Sequence, residues 1–212
     1  VTPTSGDLIG ATYVDKQATI PQLGMMDWAK GSNFVGYSED FSAWTGLISL
    51  SISLNQGLTP IDSNNANLLS IGIDASSTRH RLYSLYSFSS GNDYTYSVFA
   101  KKDEQDWIQL MFSATPFNAQ CYANFDVANG VVGNIGSSTN ANIVDYGNGW
   151  YRCSITCTAT TTTNSTFEVI TTNNTNSGRY PSYQSTSNTD VCFIWGAQLE
   201  ESTSAGNYIL TD

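Results

Sequence analysis

Residues 147–157 read GNGWYRCSITC and encode a tight turn followed by a β-strand. Glycine and asparagine adopt positive φ at the lowest cost, so the triplet centred on Asn148 predicts the turn. Beyond it, a side-chain period of two places Trp150 and Tyr151 on opposite faces of one strand. The face of Tyr151 then also carries Cys153, Ile155 and Cys157.

The same period of two recurs outward from this strand in both directions. Turn residues such as Asn129-Gly130 separate the alternating stretches, and no stretch shows a convincing helical stripe. Eight or more short strands of this kind predict an antiparallel sandwich or barrel. The alternating or β-rich stretches are residues 48–54, 69–73, 94–100, 107–114, 121–127 and 191–199.

The last of these predicted strands contains a glycine that marks an irregularity. One unbroken alternation over residues 191–199 places Trp195 and Ala197 on one face and Cys192 on the other. Gly196 lies between Trp195 and Ala197, where it predicts a bulge or the close approach of a neighbouring ring or backbone. We expect Trp195, like Trp44 and Trp150, to keep the fold rather than to bind a ligand.

Composition and charge exclude several classes of partner. The chain has 212 residues with 8 basic and 18 acidic side chains, for a net charge of −10. A nucleic-acid binder needs basic residues to neutralise phosphates, and an anionic membrane surface repels such a chain. No apolar run approaches the roughly 20 residues of a membrane span. We therefore expect neither a nucleic-acid partner nor membrane insertion.

Residues 1–32 read differently from the remainder of the chain. Their apolar residues are scattered without a sustained period, so the segment has too little local pattern to bury them alone. We predict an irregular N-terminal attachment arm at 1–32 and a sandwich domain at 33–212; the alternative is one or two strands added to the main sheet. The apolar side chains of the arm are Leu8, Ile9, Ile20, Met25, Met26 and Trp28.

Six segments, taken in order, are the most distinctive of the chain. They are YSEDFSAW at 37–44, YTYSVFAK at 94–101, Phe125-Asp126 with Gly130, GNGWYRCS at 147–154, IWGAQLE at 194–200 and Tyr208-Ile209. Together they resemble the jelly-roll domains of bacteriophage virion proteins, particularly tail fibres and their appendages, which are similar in plan to β-sandwich carbohydrate-binding modules. The resemblance covers residues 33–212 and implies an all-β, antiparallel jelly-roll β-sandwich. It also implies a virion-associated, non-catalytic binding or packing domain.

Sugar recognition usually combines an aromatic ring with hydrogen bonds from amides, arginines or carboxylates. Three groups of residues fit this description, although each also fits an ordinary loop or sandwich rim. The loop at 173–190 supplies the first group, the segment after Thr78 the second, and a tryptophan predicted to be exposed the third. The candidate glycan-binding residues are Arg179, Tyr180, Tyr183 and Gln184; Arg79 with Tyr83 and Tyr86; and Trp107.

No catalytic motif emerges from the sequence, and we expect the protein not to be an enzyme. The sole histidine, His80, lies between two arginines with no nucleophile in context, which is typical of a surface or loop histidine. Glycoside hydrolysis needs two placed carboxylates. The carboxylates considered for that role, Asp126, Asp145 and Glu168, are scattered along the chain.

The four cysteines show no metal-binding spacing and predict buried, reduced thiols, with a Cys153–Cys192 bridge as the alternative. We expect no cofactor and no metal. A structural calcium ion is the one alternative, because Glu39, Asp40 and Asp190 lie near the first and last strands, where jelly-roll modules often hold calcium through oxygen ligands.

The leading hypothesis is a virion surface protein, assembled in the host cytoplasm, that acts as a tail-fibre or receptor-binding adhesion module for host glycans. The resemblance also implies a homotrimer attached to other virion proteins. The first alternative is a capsid decoration or head-fibre protein that stabilises the shell. The second is a polysaccharide depolymerase module.

Overall fold

The computed structural model describes residues 31–212, and within them the chain forms twelve strands and one short 3₁₀ turn at Phe41–Ala43. Every strand pairing is antiparallel. The strands are β1 Gly46–Ile48, β2 Ser51–Gly57, β3 Ala66–Ile71, β4 Arg81–Phe88, β5 Asp93–Lys102, β6 Trp107–Phe112, β7 Tyr122–Asp126, β8 Val131–Ile135, β9 Asn140–Gly147, β10 Trp150–Thr158, β11 Thr163–Thr171 and β12 Thr189–Glu200.

The strands build two six-stranded sheets. Sheet A has the order β1-β4-β11-β6-β7-β8, and sheet B has the order β2-β3-β12-β5-β10-β9. Consecutive strands repeatedly cross from one sheet to the other, as β4, β5 and β6 do, so several neighbours in a sheet, such as β4 and β11, are distant in sequence. The predicted all-β, antiparallel jelly-roll β-sandwich is thereby confirmed for residues 31–212.

The core between the sheets follows the predicted alternation. Ile108, Leu110 and Phe112 of β6 are fully buried, and the same holds for Ala123 and Phe125 of β7. All four cysteines are buried and free, as predicted, so Cys153 and Cys192 form no bridge. Burial raises the pKa of the Cys192 thiol to about 12. The interior is therefore the part of the fold that period-two alternation describes best.

The prediction of one strand over residues 48–54 is wrong. Ser49 has a φ of 50°, a left-handed conformation that ends β1 in sheet A. The chain then enters sheet B as β2, starting at Ser51. The alternation continues through the break in the sequence, although the halves belong to different sheets: Leu50 and Ile52 pack against the core, whereas Ile48 of β1 is exposed.

The single face predicted for residues 191–199 is also wrong, and Gly196 supplies the reason. Gly196 has a φ of 61° and lies in a register shift between Trp195 and Gln198, which is a β-bulge. An extra residue in a strand reverses the faces that follow it. Trp195 consequently lies on the outer face of sheet B, whereas Ala197 lies in the core between the sheets.

The turn at residues 147–149 has the predicted geometry. Gly147, Asn148 and Gly149 have φ values of 79°, 54° and 79°. The next residue, Trp150, is 1% exposed, and its indole nitrogen donates to the Leu58 carbonyl at 3.0 Å. Trp150 therefore keeps the fold, as predicted, and so do Trp44 and Trp195, which are also buried.

An aromatic cluster covers the outer face of sheet B. Phe99, Trp150 and Trp195 form it with Ala66, and the C-terminal segment 201–212 packs against it through Tyr208. The Tyr208 ring lies 4.6 Å from the Trp195 ring, centroid to centroid. Arg152 reaches from β10 under the same segment and donates to the Gly206 carbonyl.

The predicted N-terminal arm lies outside the described residues, apart from its last two. This holds for all six of its apolar side chains, so the division into 1–32 and 33–212 stays a prediction. Within residues 31–212, no helix has the length and apolar character needed to cross a membrane.

Candidate functional site

The loop between β11 and β12 lies across the outer face of sheet A, where a buried pair of amides holds it. Gln109 of β6 and Asn124 of β7 are cross-strand neighbours, and both are 0% exposed. The Gln109 amide donates to Asn124 Oδ1 at 2.7 Å. Asn124 Nδ2 donates to the carbonyls of Thr175 and Ser177 at 2.9 and 2.7 Å. We call Gln109 and Asn124 the amide latch.

The amide latch also fixes the conformation of Tyr180. Gln109 Oε1 accepts from the Tyr180 backbone N–H at 2.8 Å, and its Nε2 donates to the Gly178 carbonyl at 3.0 Å. Tyr180 has a φ of 62°, in the left-handed region. Such a conformation costs a non-glycine residue of the order of 1–3 kcal/mol and tends to occur at functional sites. The latch holds Tyr180 in a position that its backbone would not adopt unaided.

Three of the four arginines in the chain converge on the Tyr180 ring. The guanidinium carbons of Arg79, Arg81 and Arg179 lie 4.1, 5.2 and 5.8 Å from the ring centroid. A cation within about 6 Å of an aromatic centroid is attracted to the ring. We call Arg79, Arg81, Arg179 and Tyr180 the arginine patch.

The alternation of side chains explains why two of these arginines share a face. Arg79 and Arg81 point outward, and His80 between them points inward and is 0% exposed. His80 therefore lies in the loop before β4, as one of the two interpretations had it, but it is buried and not on the surface. Its Nε2 lies 2.8 Å from Asp74 Oδ2, and its ring packs against the Tyr183 ring.

One carboxylate lies within the patch. Glu168 of β11 is 2% exposed and pairs with Arg81, whose Nη1 lies 3.0 and 3.2 Å from its two oxygens. Burial raises the pKa of the Tyr180 hydroxyl, and the negative charge of Glu168 adds to that rise. Arg79 is exposed and has no ion pair within residues 31–212.

A shallow depression of about 330 Å³ opens beside the patch. Guanidinium and hydroxyl groups dominate its wall, so it offers mainly hydrogen-bond donors and positive charge. Its open form suits the side or end of an extended polar chain better than a small molecule that needs enclosure. The residues that line it are Ile48, Ser77, Thr78, Arg79, Arg81, Tyr180 and Ser182.

The structure brings together part of two of the predicted candidate groups. Arg179 and Tyr180 from the β11–β12 loop meet Arg79, and Tyr83 lies beside Arg81, 4.8 Å from its guanidinium carbon. The Tyr180 ring packs on Met111, Tyr122 and Ile170 and also contacts the guanidiniums. It is therefore a support for the arginines rather than an open platform for a sugar.

The other candidates lie elsewhere. Tyr183 donates or accepts a hydrogen bond with Thr171 Oγ1 at 2.7 Å, and the exposed Gln184 donates to the Asp74 carbonyl at 3.0 Å. Gln184 thus ties the loop to Asp74, and Tyr183 ties it to β11 and to the His80 ring. Neither residue lines the depression. Trp107 is half-buried at the start of β6, opposite Asp126. Tyr86 turns toward the core and stacks on Phe34.

The carboxylates considered for calcium do not meet. Asp190 accepts from Ser70 Oγ at 2.6 Å, whereas Glu39 accepts from Tyr208 and Asn65. Asp40 caps the 3₁₀ turn through Ser42. No cluster of three acidic, histidine or cysteine side chains suited to a metal occurs in residues 31–212.

The carboxylates considered for hydrolysis are also separate. Asp145 lies in sheet B and Glu168 in sheet A. Asp126 pairs across from Trp107, and Glu168 from Met111, so they are offset by four positions along β6. The described residues therefore bring no two of these three together as a catalytic pair.

Sequence reasoning missed Arg81 and both members of the amide latch. The available signal was Met111, an apolar residue on the face of β6 that also carries Gln109. An apolar side chain on a face predicted to be wet indicates that something covers that face. The sequence contains no comparable signal for which loop provides the cover.

No protein-family model matches the chain, and no curated protein matches it. Among solved structures it is similar to the enzymatically active domain of tailspike protein 4 of bacteriophage CBA120, with 12% identity and a TM-score of 0.43 over 79% of this chain and 21% of that one. It is also similar to a carbohydrate-binding module described for specific mannan recognition, with 14% identity and a TM-score of 0.36 over 80% and 95% of the two chains. The chain thus spans about a fifth of the tailspike chain. At these identities the likeness concerns the β-rich fold alone.

Proposed function

We propose that the protein is a non-catalytic, glycan-binding β-sandwich domain of a bacteriophage virion surface protein, acting in adhesion to the host. The observation that supports this most directly is the arginine patch, where Arg79, Arg81 and Arg179 are held on Tyr180 beside an open depression. Binding sites of this kind combine a few fixed polar groups with aromatic or apolar support.

The chemistry of the patch favours binding over catalysis. Guanidinium and hydroxyl groups bind and orient oxygen-rich ligands, whereas glycoside hydrolysis needs an acid and a second carboxylate. The one carboxylate of the patch, Glu168, is already paired with Arg81 and also accepts from Thr166 Oγ1 at 2.7 Å. We therefore propose a role without catalysis, cofactor or structural metal.

The setting that we propose is the surface of the particle, after assembly in the host cytoplasm. Residues 1–32 would attach the domain to other virion proteins, and a homotrimer would present three patches together. Multivalent presentation raises avidity without new contacts, so weak individual sites suffice. Deletion of residues 1–32 is expected to abolish incorporation into particles; normal occupancy of the truncated protein, or a monomer on the particle, contradicts this arrangement.

The patch is tested by binding to glycans of the host surface. We expect purified protein to be retained on immobilised host-surface polysaccharide and Arg79→Ala to lose most of that retention. Lys101→Met is the matched control, because it removes one positive charge from sheet B and leaves the patch intact. Equal retention of wild type and Arg79→Ala overturns the assignment of the site.

The position of the protein on the particle separates adhesion from decoration of the shell. Antibodies against the sandwich are expected to label the tail of intact particles in electron micrographs. Labelling of the capsid instead would favour the decoration alternative, and particles that lack the protein altogether would overturn both.

A further inference from the structure

We infer that the ligand of the arginine patch is an acidic saccharide, one that carries carboxylate or another oxyanion group. This inference rests on the proposed glycan-binding function and names the class of glycan. Its first support is the distribution of charge. The chain has only 8 basic residues and a net charge of −10, yet three of its four arginines meet at one tyrosine ring.

The patch holds more positive charge than its surroundings neutralise. Within residues 31–212, Glu168 is its one carboxylate partner, and it pairs with Arg81 alone. Arg179 donates to the Phe112 carbonyl at 3.2 Å, which supplies no negative charge. The Nε atoms of Arg81 and Arg179 are buried and have no partner among the described residues. An oxyanion bound here would lower the electrostatic free energy of guanidiniums that are already partly desolvated.

The geometry also prepares the guanidiniums for an oxyanion. Stacking on Tyr180 restricts the guanidinium planes and leaves N–H edges available as donors. The exposed Arg79 is the nearest to the ring, at 4.1 Å, and its guanidinium donates no hydrogen bond to other side chains or carbonyls within residues 31–212. Arginine binds planar oxyanions through paired N–H donors, which lysine cannot reproduce.

The patch offers fewer favourable contacts to a neutral sugar than to an acidic one. Binding of neutral sugars gains most from an open aromatic face, and the Tyr180 ring packs on Met111, Tyr122 and Ile170 and carries the Arg79 guanidinium at 4.1 Å. Tyr83 lies against Arg81 and across Gly46, where an added Cβ would approach its ring to 2.5 Å. The guanidiniums are thus the groups that the patch presents to a ligand.

The test pairs each acidic polymer with its own neutral form. Hyaluronate, polygalacturonate, polysialic acid and chondroitin sulfate are titrated into the full chain by calorimetry, alongside their carboxyl-reduced derivatives; chondroitin sulfate is both carboxyl-reduced and desulfated. We expect at least one acidic polymer to bind, its neutral form to bind at least tenfold more weakly, and the affinity to fall as salt rises. Arg79→Ala should weaken binding about tenfold and Arg79→Lys should restore only part of it, whereas Lys101→Met should bind like wild type.

The outcomes separate this inference from the function on which it rests. Equal binding of the acidic and neutral forms, still lost in Arg79→Ala, overturns the acidic-saccharide assignment and leaves the glycan-binding patch standing. Absence of binding to every polymer, acidic or neutral, or binding that Arg79→Ala leaves unchanged, overturns the patch itself. Circular dichroism of each variant establishes that it is folded.

Discussion

The covers on the outer faces of the two sheets differ in what they bury. On sheet B, the segment 201–212 packs Tyr208 on an aromatic cluster, and the buried amide of Gln198 also holds the segment through the Asn207 carbonyl and the Ile209 N–H. On sheet A, the β11–β12 loop is held through the amide latch, whose hydrogen bonds run mainly to backbone atoms of the loop. Both covers are held by a buried glutamine, and the cover of sheet B also seals a cluster that contains two buried tryptophans.

This difference separates stability from positioning. Apolar contacts are strong but tolerate small displacements, since burial is not directional. Hydrogen bonds contribute less net free energy but depend on distance and angle. Sheet B therefore has the cover with the larger apolar contribution to stability, and the amide latch on sheet A sets the geometry of the arginine patch.

The largest expected effect lies on sheet B. Trp150→Ala should lower the free energy of unfolding by about 3–5 kcal/mol, because a fully buried indole leaves a cavity and the Leu58 carbonyl loses its donor. Urea denaturation measures the change, with the exposed Val131→Ala as a control that should stay within about 0.5 kcal/mol. A loss of less than about 1 kcal/mol in the free energy of unfolding would contradict the larger stabilising role that we assign to the cover of sheet B.

The amide latch should give a smaller loss of stability and a loss of binding. Gln109→Met leaves Asn124 Oδ1, the Gly178 carbonyl and the Tyr180 N–H without their partner, at a cost of about 1–3 kcal/mol. The matched control is Gln120→Met, at an exposed position. Denaturation and polysaccharide retention are measured on both, and unchanged retention in a destabilised Gln109→Met would show that the latch does not position the patch.

Much of the sandwich was predictable from residues, because its inner faces repeat with a period of two. The faces of Ile108 and Phe125 follow from that rule alone. The break at Ser49 was not predicted, since it depends on how a strand meets its neighbours. At Gly196 the sequence predicted a bulge or a close approach, but not the reversal of faces that the bulge causes. The site was harder to predict from the sequence, because Arg79 and Arg179 are a hundred positions apart and only the folded loop brings them to one ring.

Acid should loosen the cover of sheet A, because a carboxylate of lowered pKa helps to hold the loop at 182–185. The Ser185 N–H donates to Asp74 and, with His80, lowers the pKa of the Asp74 carboxyl below its ordinary value of 3.8. A lowered pKa stabilises the folded state above pH 3.8, and that contribution is lost as the pH falls through the folded pKa. Amide exchange should report earlier opening of the loop at 182–185 than of β10. Asp74→Asn should flatten this pH dependence; an unchanged profile contradicts the assignment.

The smallest effect on stability belongs to the patch itself. Arg79→Ala should alter the free energy of unfolding by no more than about 0.5 kcal/mol, because Arg79 is exposed and stacks on one ring. Its binding should nevertheless fall about tenfold. Thermal denaturation and polysaccharide retention are compared on the same preparation, and a large loss of stability would make Arg79 part of the fold rather than of the site.

Both covers flank the same strand, and this has a consequence for the order of folding. The loop on sheet A precedes β12, the segment on sheet B follows it, and β12 itself is paired between β3 and β5. Within residues 31–212, eleven strands thus emerge from the ribosome before the loop can cover the amides of sheet A, and twelve before the segment 201–212 can cover the rings of sheet B. Contacts of such long sequence separation form slowly. A nascent chain interrupted before Thr189 would expose an open sheet edge and an aromatic face together, the two features that make folding intermediates aggregate.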